Sequence, residues 1–152
     1  MNKECKGRLN RMRLQLPADS VNEGVARAAV AAFCSQCNPT VTELADIKCA
    51  VSEAVTNCIV HAYRACEGEI YITVRLLANG GVRIWVREKG CGIADVEKAR
   101  EPLFTTDAAG ERSGMGFTVM ESFMDELSVR SAQGEGTTVV LTKYIGRARE
   151  EQ

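Results

Sequence analysis

The sequence predicts an α+β fold: a two-layer sandwich in which a mixed, mainly antiparallel sheet carries its helices on one face. Two stretches show the three-and-four apolar spacing of amphipathic helices. A pair of β-rich runs is joined by Asn79-Gly80-Gly81, a strong hairpin signal, and a second strand pair near the end brackets Gln133-Gly-Glu-Gly136. Hairpin-joined strands lie side by side and antiparallel, so the helices gather on one face.

Met12, Leu14 and Leu16 alternate with polar residues, the period of a half-buried strand that ends at Pro17. Ser20 with Glu23 has the pattern of a capping box. The helix behind it is expected to turn Val21, Val25, Ala28, Ala29, Ala32 and Phe33 toward the core and to stop before Pro39. Its alanine-rich face suits either an internal packing seam or a protein-binding surface. Thr40 with Glu43 repeats the capping-box pattern and opens a second helix. Leu44, Ile47, Val51, Ala54, Val55, Cys58 and Ala62 form its buried stripe.

Strands are expected over residues 69–77 and 82–87, with Trp85, the one tryptophan, as a packing residue. Residues 94–100 read as a helix, acidic early (Asp95, Glu97) and basic late (Lys98, Arg100), as the helix dipole favours. Residues 101–113 lack periodicity, and a loop of that length is commonly functional. A helix over 115–124 and strands over 126–131 and 137–144 complete the elements. The charged tail from 146 onward is expected to fray.

At 152 residues the chain is read as one domain, 1–152, with an ordered core over about residues 10–145. A net charge of −1 gives no argument for nucleic acid or for an acidic membrane surface. The first thirteen residues are locally basic, which suits a solvated terminus. No apolar run is long enough to span a membrane, and the N-terminus lacks a signal peptide's hydrophobic core, so a cytosolic protein is expected. Seven cysteines with a single histidine fit reduced, mostly buried thiols better than a zinc site, despite the spacing of Cys34 and Cys37.

The chemistry concentrates in three places. Glu53 and Asn57 stand four apart beside the buried stripe of the second helix, one turn above the other. A carboxylate there can take a proton, and a carboxamide oxygen can hold a hard cation such as Mg2+ without adding charge. The plainer alternative is a half-exposed helix face that happens to carry both. Two glycine clusters follow: Glu88-Lys-Gly90-Cys-Gly92-Ile93, and Ser113-Gly114-Met115-Gly116-Phe117 at the start of a helix. Glycines let backbone amides approach a ligand, and a helix N-terminus presents free N–H groups to phosphate. A dinucleotide fingerprint is excluded because Asp95 occupies the third glycine position and the preceding strand belongs to a hairpin. No phosphate-binding P-loop sequence occurs.

The ordered set is more specific than its parts: Glu-x-x-x-Asn on a helix, acid-x-Gly-x-Gly, a loop, Ser-Gly-Met-Gly, then Gly136-Thr137. It resembles the GHKL (Bergerat-fold) ATPase superfamily and is most similar to the sporulation anti-sigma-factor serine kinases, from about residue 10 to 145. Val51-Ser-Glu-Ala-Val-Thr-Asn57 followed by His61-Ala-Tyr63 resembles that family's N-box. Residues 101–106 and 111–117 resemble its ATP lid and second glycine box.

The resemblance implies a role for each matching position. Glu53 would be the general base toward a serine hydroxyl, and Asn57 would hold Mg2+ on the phosphates of ATP or ADP. Gly90 and Gly92, with Ile93, would pass close to the adenine, and Thr137 would bond near its edge. Thr105, Ser113, Gly114, Met115 and Gly116 would line or cap the phosphates, with Arg112 as a charged donor. Arg27 matches a partner-contacting position. Implied partners are a sporulation sigma factor, an anti-anti-sigma protein substrate and a second copy in a homodimer. The alternative is a sigma-sequestering pseudokinase, because Glu88 stands where the family has Asp. The carboxylate sits about 1.5 Å further out, so adenine binding is expected to persist but weaken. A sensor-kinase half is disfavoured, since the chain is too short for a phosphoacceptor helix pair as well.

Overall fold

The computed structural model describes residues 9–63, 67–90, 100 and 116–146. The expected helix at 94–100 and the loop at 101–113 lie, but for Arg100, outside the described residues. So do Gly92, Ile93, Thr105, Arg112, Ser113, Gly114 and Met115.

Among the described residues the elements run β1 (Arg11–Pro17), α1 (Val21–Cys34), α2 (Val41–Asn57), β2 (Glu69–Leu76), β3 (Gly81–Glu88), α3 (Gly116–Phe123), β4 (Glu126–Ala132) and β5 (Gly136–Tyr144). The five strands form one sheet in the order β1-β2-β3-β5-β4, and every pairing is antiparallel. The expected mixed sheet is thus wholly antiparallel here. Residue alternation gives the sheet two unlike faces. Ile70, Ile72, Val74, Val82, Ile84, Val86, Val139 and Leu141 are buried together with the helices. The opposite face carries Arg75 and Arg87 among others, and Arg75 lies 5.3 Å from the Trp85 ring centroid. Trp85 is therefore a packing residue on the face away from the helices.

Helix α2 is the centre of the helical layer. Ile47, Ala50, Val51, Ala54 and Val55 are buried along it, as the apolar spacing requires. Its start has a complete capping box: the Thr40 hydroxyl accepts from the Glu43 amide at 3.1 Å, and the Glu43 carboxylate accepts from the Thr40 amide at 2.8 Å.

Helix α1 departs from expectation twice. Ser20 makes no side-chain cap bond; Asp19 accepts from the Val21 amide instead, at 3.1 Å. Glu23, the intended partner, is engaged by Ser52 and Arg27. The buried face also matches the expected one only in part, through Ala29 and Phe33. Ala26, Val30, Ala31 and Cys34 pack inward, while Ala28 and Ala32 are exposed and Val21 and Val25 are 73% and 49% exposed. Val30 is fully buried on that side, flanked by the small side chains of Ala26 and Ala31, while Phe33 packs partly against the same core. Cys49 likewise proves exposed, whereas Cys34 and Cys58 are buried free thiols.

Candidate functional site

Glu53 and Asn57 occupy the last turns of α2, both half-buried, directly beside the core residues Ala54 and Cys58. The start of α3 abuts them. A Cβ built on Gly116 would come within 3.2 Å of both Asn57 amide atoms and 3.4 Å of Glu53 Oε2. Glycine at this position therefore lets the helix N-terminus close on the carboxylate and carboxamide together. A helix start brought against a carboxylate and a carboxamide suits an anion with a bound cation.

Beyond Asn57 the helix widens into a π-helical turn, Cys58–Ala62. Such turns are rare and concentrate at functional sites. The Ala62 carbonyl lies against Gly90, where a Cβ would be only 2.3 Å away. Glu88, at the end of β3, is 4% exposed and turns back so that its carboxylate accepts from the Gly90 amide. In register beside it on β5 is Thr137, 8% exposed, whose hydroxyl is 2.7 Å from that of Ser131. Both point to the helix side of the sheet. An acceptor carboxylate next to a hydroxyl, walled by apolar residues, is a pair fit to read the edge of a planar polar ring.

Gly136 explains how β5 comes so near. Its φ is 100°, and a Cβ there would meet the Glu88 carbonyl oxygen at 2.3 Å. Burial pushes the Tyr63 hydroxyl above its ordinary range, partly offset by its hydrogen bond with the Lys89 amide. The Cys58 thiol is raised more strongly, first by burial and then by the charge of Glu88. Cys58 is thus an inert wall of the site rather than a nucleophile.

A groove of about 700 Å³ opens on the outer side of Glu53, lined by Glu23, Arg27, Lys48, Cys49, Ser52 and Thr56, with Ala45 and Val119. Arg27 pairs with Glu23 at 3.2 Å, and Glu23 accepts from the Ser52 hydroxyl at 2.5 Å. The expected partner-contacting arginine is therefore tied to the residue next to Glu53.

The structure thus gathers Glu53, Asn57 and Gly116 at one end, and Glu88, Gly90 and Thr137 at the other. Arg27 stands on the rim of the adjoining groove. Sequence reading missed Ser131 as the partner of Thr137, and the contact of Tyr63 with the strand bearing Glu88. A serine on an edge strand gives no signal, whereas the tyrosine was visible in its motif without its geometry.

The chain matches the family described as "Histidine kinase-like ATPase domain" over residues 16–143. It is 57% identical over 140 residues to the anti-sigma F factor of Caldanaerobacter subterraneus subsp. tengcongensis, covering 92% of this chain and 97% of that one. Identity to the anti-sigma F factor of a Thermoanaerobacter species is 54% over 138 residues, covering 90% and 95%. Among solved structures, the RsbU and RsbW domains of Rv1364c from Mycobacterium tuberculosis superpose with a TM-score of 0.66 at 22% identity, over 90% of this chain and 32% of that one. That last likeness shows a shared fold. A helix-borne Glu–Asn pair closed by a glycine-started helix, within a histidine kinase-like ATPase fold and at this identity, places the chain in the anti-sigma F factor family.

Proposed function

We propose that this chain, acting as one domain over residues 1–152, is an ATP-dependent protein serine kinase that also sequesters a sigma factor. Its substrate would be an anti-anti-sigma protein, phosphorylated on serine. The supporting observation is the close approach of Gly116 to both Asn57 and Glu53, which brings the start of α3 beside a carboxamide and a carboxylate. The relatives' printed name, anti-sigma F factor, supports the sigma partner.

The roles divide along the site. Glu88 would accept from the adenine amino group, with Thr137 beside it and Gly90 letting the chain pass close. The α3 start would hold phosphate oxygens, joined by residues 105 and 112–115 of the lid segment. Asn57 would hold Mg2+, which when bound neutralises charge on the phosphates. Glu53 would take the proton of the incoming serine hydroxyl as its oxygen bonds to the terminal phosphorus and the bond to ADP breaks. The groove beside Glu53 gives that serine an approach, and Arg27 on its rim would contact the protein partner. A homodimer in the cytosol completes the reading. Among the described residues no helix is long and apolar enough to cross a membrane.

Calorimetric titration with ATP and ADP in Mg2+ tests the pocket, and phosphotransfer to an anti-anti-sigma protein tests the chemistry. Glu53→Gln should keep nucleotide binding and reduce transfer at least a hundredfold. Absence of binding up to about millimolar, weaker than roughly −4 kcal/mol, would favour the sequestering pseudokinase.

A further inference from the structure

The last register pair between β2 and β3 is Ile70 with Glu88, so Glu69 and Lys89 stand next in line. The rung between them is made through a side chain. The Tyr63 hydroxyl donates to the Glu69 carbonyl at 2.7 Å and accepts from the Lys89 amide at 2.8 Å. Its ring lies flat on Gly68, where a Cβ would come within 2.3 Å of the ring carbons. The π-helical turn sets this up, since the Tyr63 amide bonds the Cys58 carbonyl five residues back at 3.2 Å. Without the extra residue of that turn, the side chain would point about 100° away around the helix axis. Ala62, the preceding residue, meets Gly90 with its carbonyl, and Glu88 bonds the Gly90 amide. Consecutive residues of the turn thus hold both ends of the Lys89–Gly90 step.

We infer that Tyr63 is a positioning residue for base recognition: its hydroxyl, wedged between Glu69 and Lys89, sets where the chain leaves β3 and so aims the Glu88 carboxylate at the nucleobase. This rests on the reading of Glu88 as the acceptor of the adenine amino group. An ordinary ladder bond would keep Lys89 in the strand and carry Gly90 away from Ala62. The inserted hydroxyl widens the ladder by one oxygen at its last rung, and the chain turns there. A clasp serving stability alone would affect every nucleotide alike. A clasp that aims the carboxylate affects purines with an exocyclic amino group at the 6 position, and leaves guanine nucleotides nearly untouched.

The test is calorimetric titration of the full chain with ATP and with GTP in Mg2+, comparing the native sequence, Tyr63→Phe, Gly68→Ala and Glu88→Gln. Tyr63→Phe keeps the ring and removes one hydroxyl. Its affinity for ATP should fall about tenfold while that for GTP changes less than twofold. Gly68→Ala, which displaces the ring and keeps the hydroxyl, should do the same. If both variants retain the native preference for ATP, or weaken ATP and GTP equally, while Glu88→Gln loses the preference, the role given to Tyr63 is wrong and Glu88 stands. A native chain with no preference for ATP, or a Glu88→Gln variant that keeps it, overturns the reading of Glu88 and this inference with it.

Discussion

Glu88 spends a hydrogen bond on its own chain, turning its carboxylate back to the Gly90 amide. An aspartate makes the same turn two residues on with one carbon fewer, a geometry its side chain favours. If Glu88 takes the proposed role, its extra methylene adds a rotatable bond that binding must fix and moves the oxygens relative to the base. Glu88→Asp is expected to tighten ADP binding about three- to tenfold by calorimetry, and an unchanged affinity would show that the longer side chain is fully accommodated. Gly136 has less freedom. With φ at 100° and no room for a Cβ beside the Glu88 carbonyl, Gly136→Ala should lower stability by about 3 kcal/mol in urea unfolding. The same substitution should weaken nucleotide binding, because the atoms it displaces belong to Glu88 and Lys89. Neither position announces itself in the sequence as more than a motif letter. The close approach of β5 to β3 is a tertiary fact.

Two helices begin with the same four-residue pattern, Ser20 to Glu23 and Thr40 to Glu43, and only the second forms a capping box. The difference lies in what else the glutamate can reach. Glu43 also accepts from the Gly146 amide at 2.8 Å and keeps its bond to Thr40, whereas Glu23 is turned toward Ser52 and Arg27. Thr40→Ala should therefore cost about 1 kcal/mol, and Ser20→Ala less than about 0.5 kcal/mol, as read from urea midpoints. Equal losses would mean that the two caps are energetically alike. This contrast marks how far element-level reading extends. The described strands and α2 were legible because their apolar periods match the faces that the sheet and α2 bury. The face of α1 was legible only in part, at Phe33, because alanine is small enough to be buried or exposed at little cost and Val21 and Val25 pointed the reading outward. The Glu53–Asn57 spacing was legible because α-helical geometry alone places both on one side. Closure by Gly116 depends on how α3 returns across sixty residues of chain, and no local pattern encodes that.

The sheet and the helical layer share one core, so groups buried between them report on the whole molecule. Lys143 on β5 reaches across the layers to Asp46 on α2 at 3.0 Å and to the Phe123 carbonyl of α3 at 2.6 Å. Cys34 on α1 is fully buried in the same core, and its thiol is pushed up to about 12 by burial, with Cys37 contributing. Cys58, in the turn that follows α2, is raised in the same sense. An unfolded thiol ionises near pH 9 while the folded one keeps its proton, so the folded state binds more protons above that pH. The contribution is therefore fully present below about pH 9 and is lost as the pH rises toward about 12. Each such thiol steepens the loss by about 1.4 kcal/mol per pH unit in that window. Urea unfolding from pH 7.5 to 10.5 should show a plateau followed by a steep decline. Cys34→Ala should lower the plateau, since a buried side chain is trimmed, yet flatten the decline by about one thiol's share. Parallel curves for the variant and the native chain would mean that Cys34 ionises alike in both states and that the alkaline loss originates elsewhere. Because nucleotide binds the folded state alone, ADP at a hundred times its dissociation constant should raise the whole curve by about 2.7 kcal/mol without moving the pH at which the decline begins. A shift in that pH would show that the bound nucleotide alters the surroundings of Cys58, on which the charge of Glu88 acts.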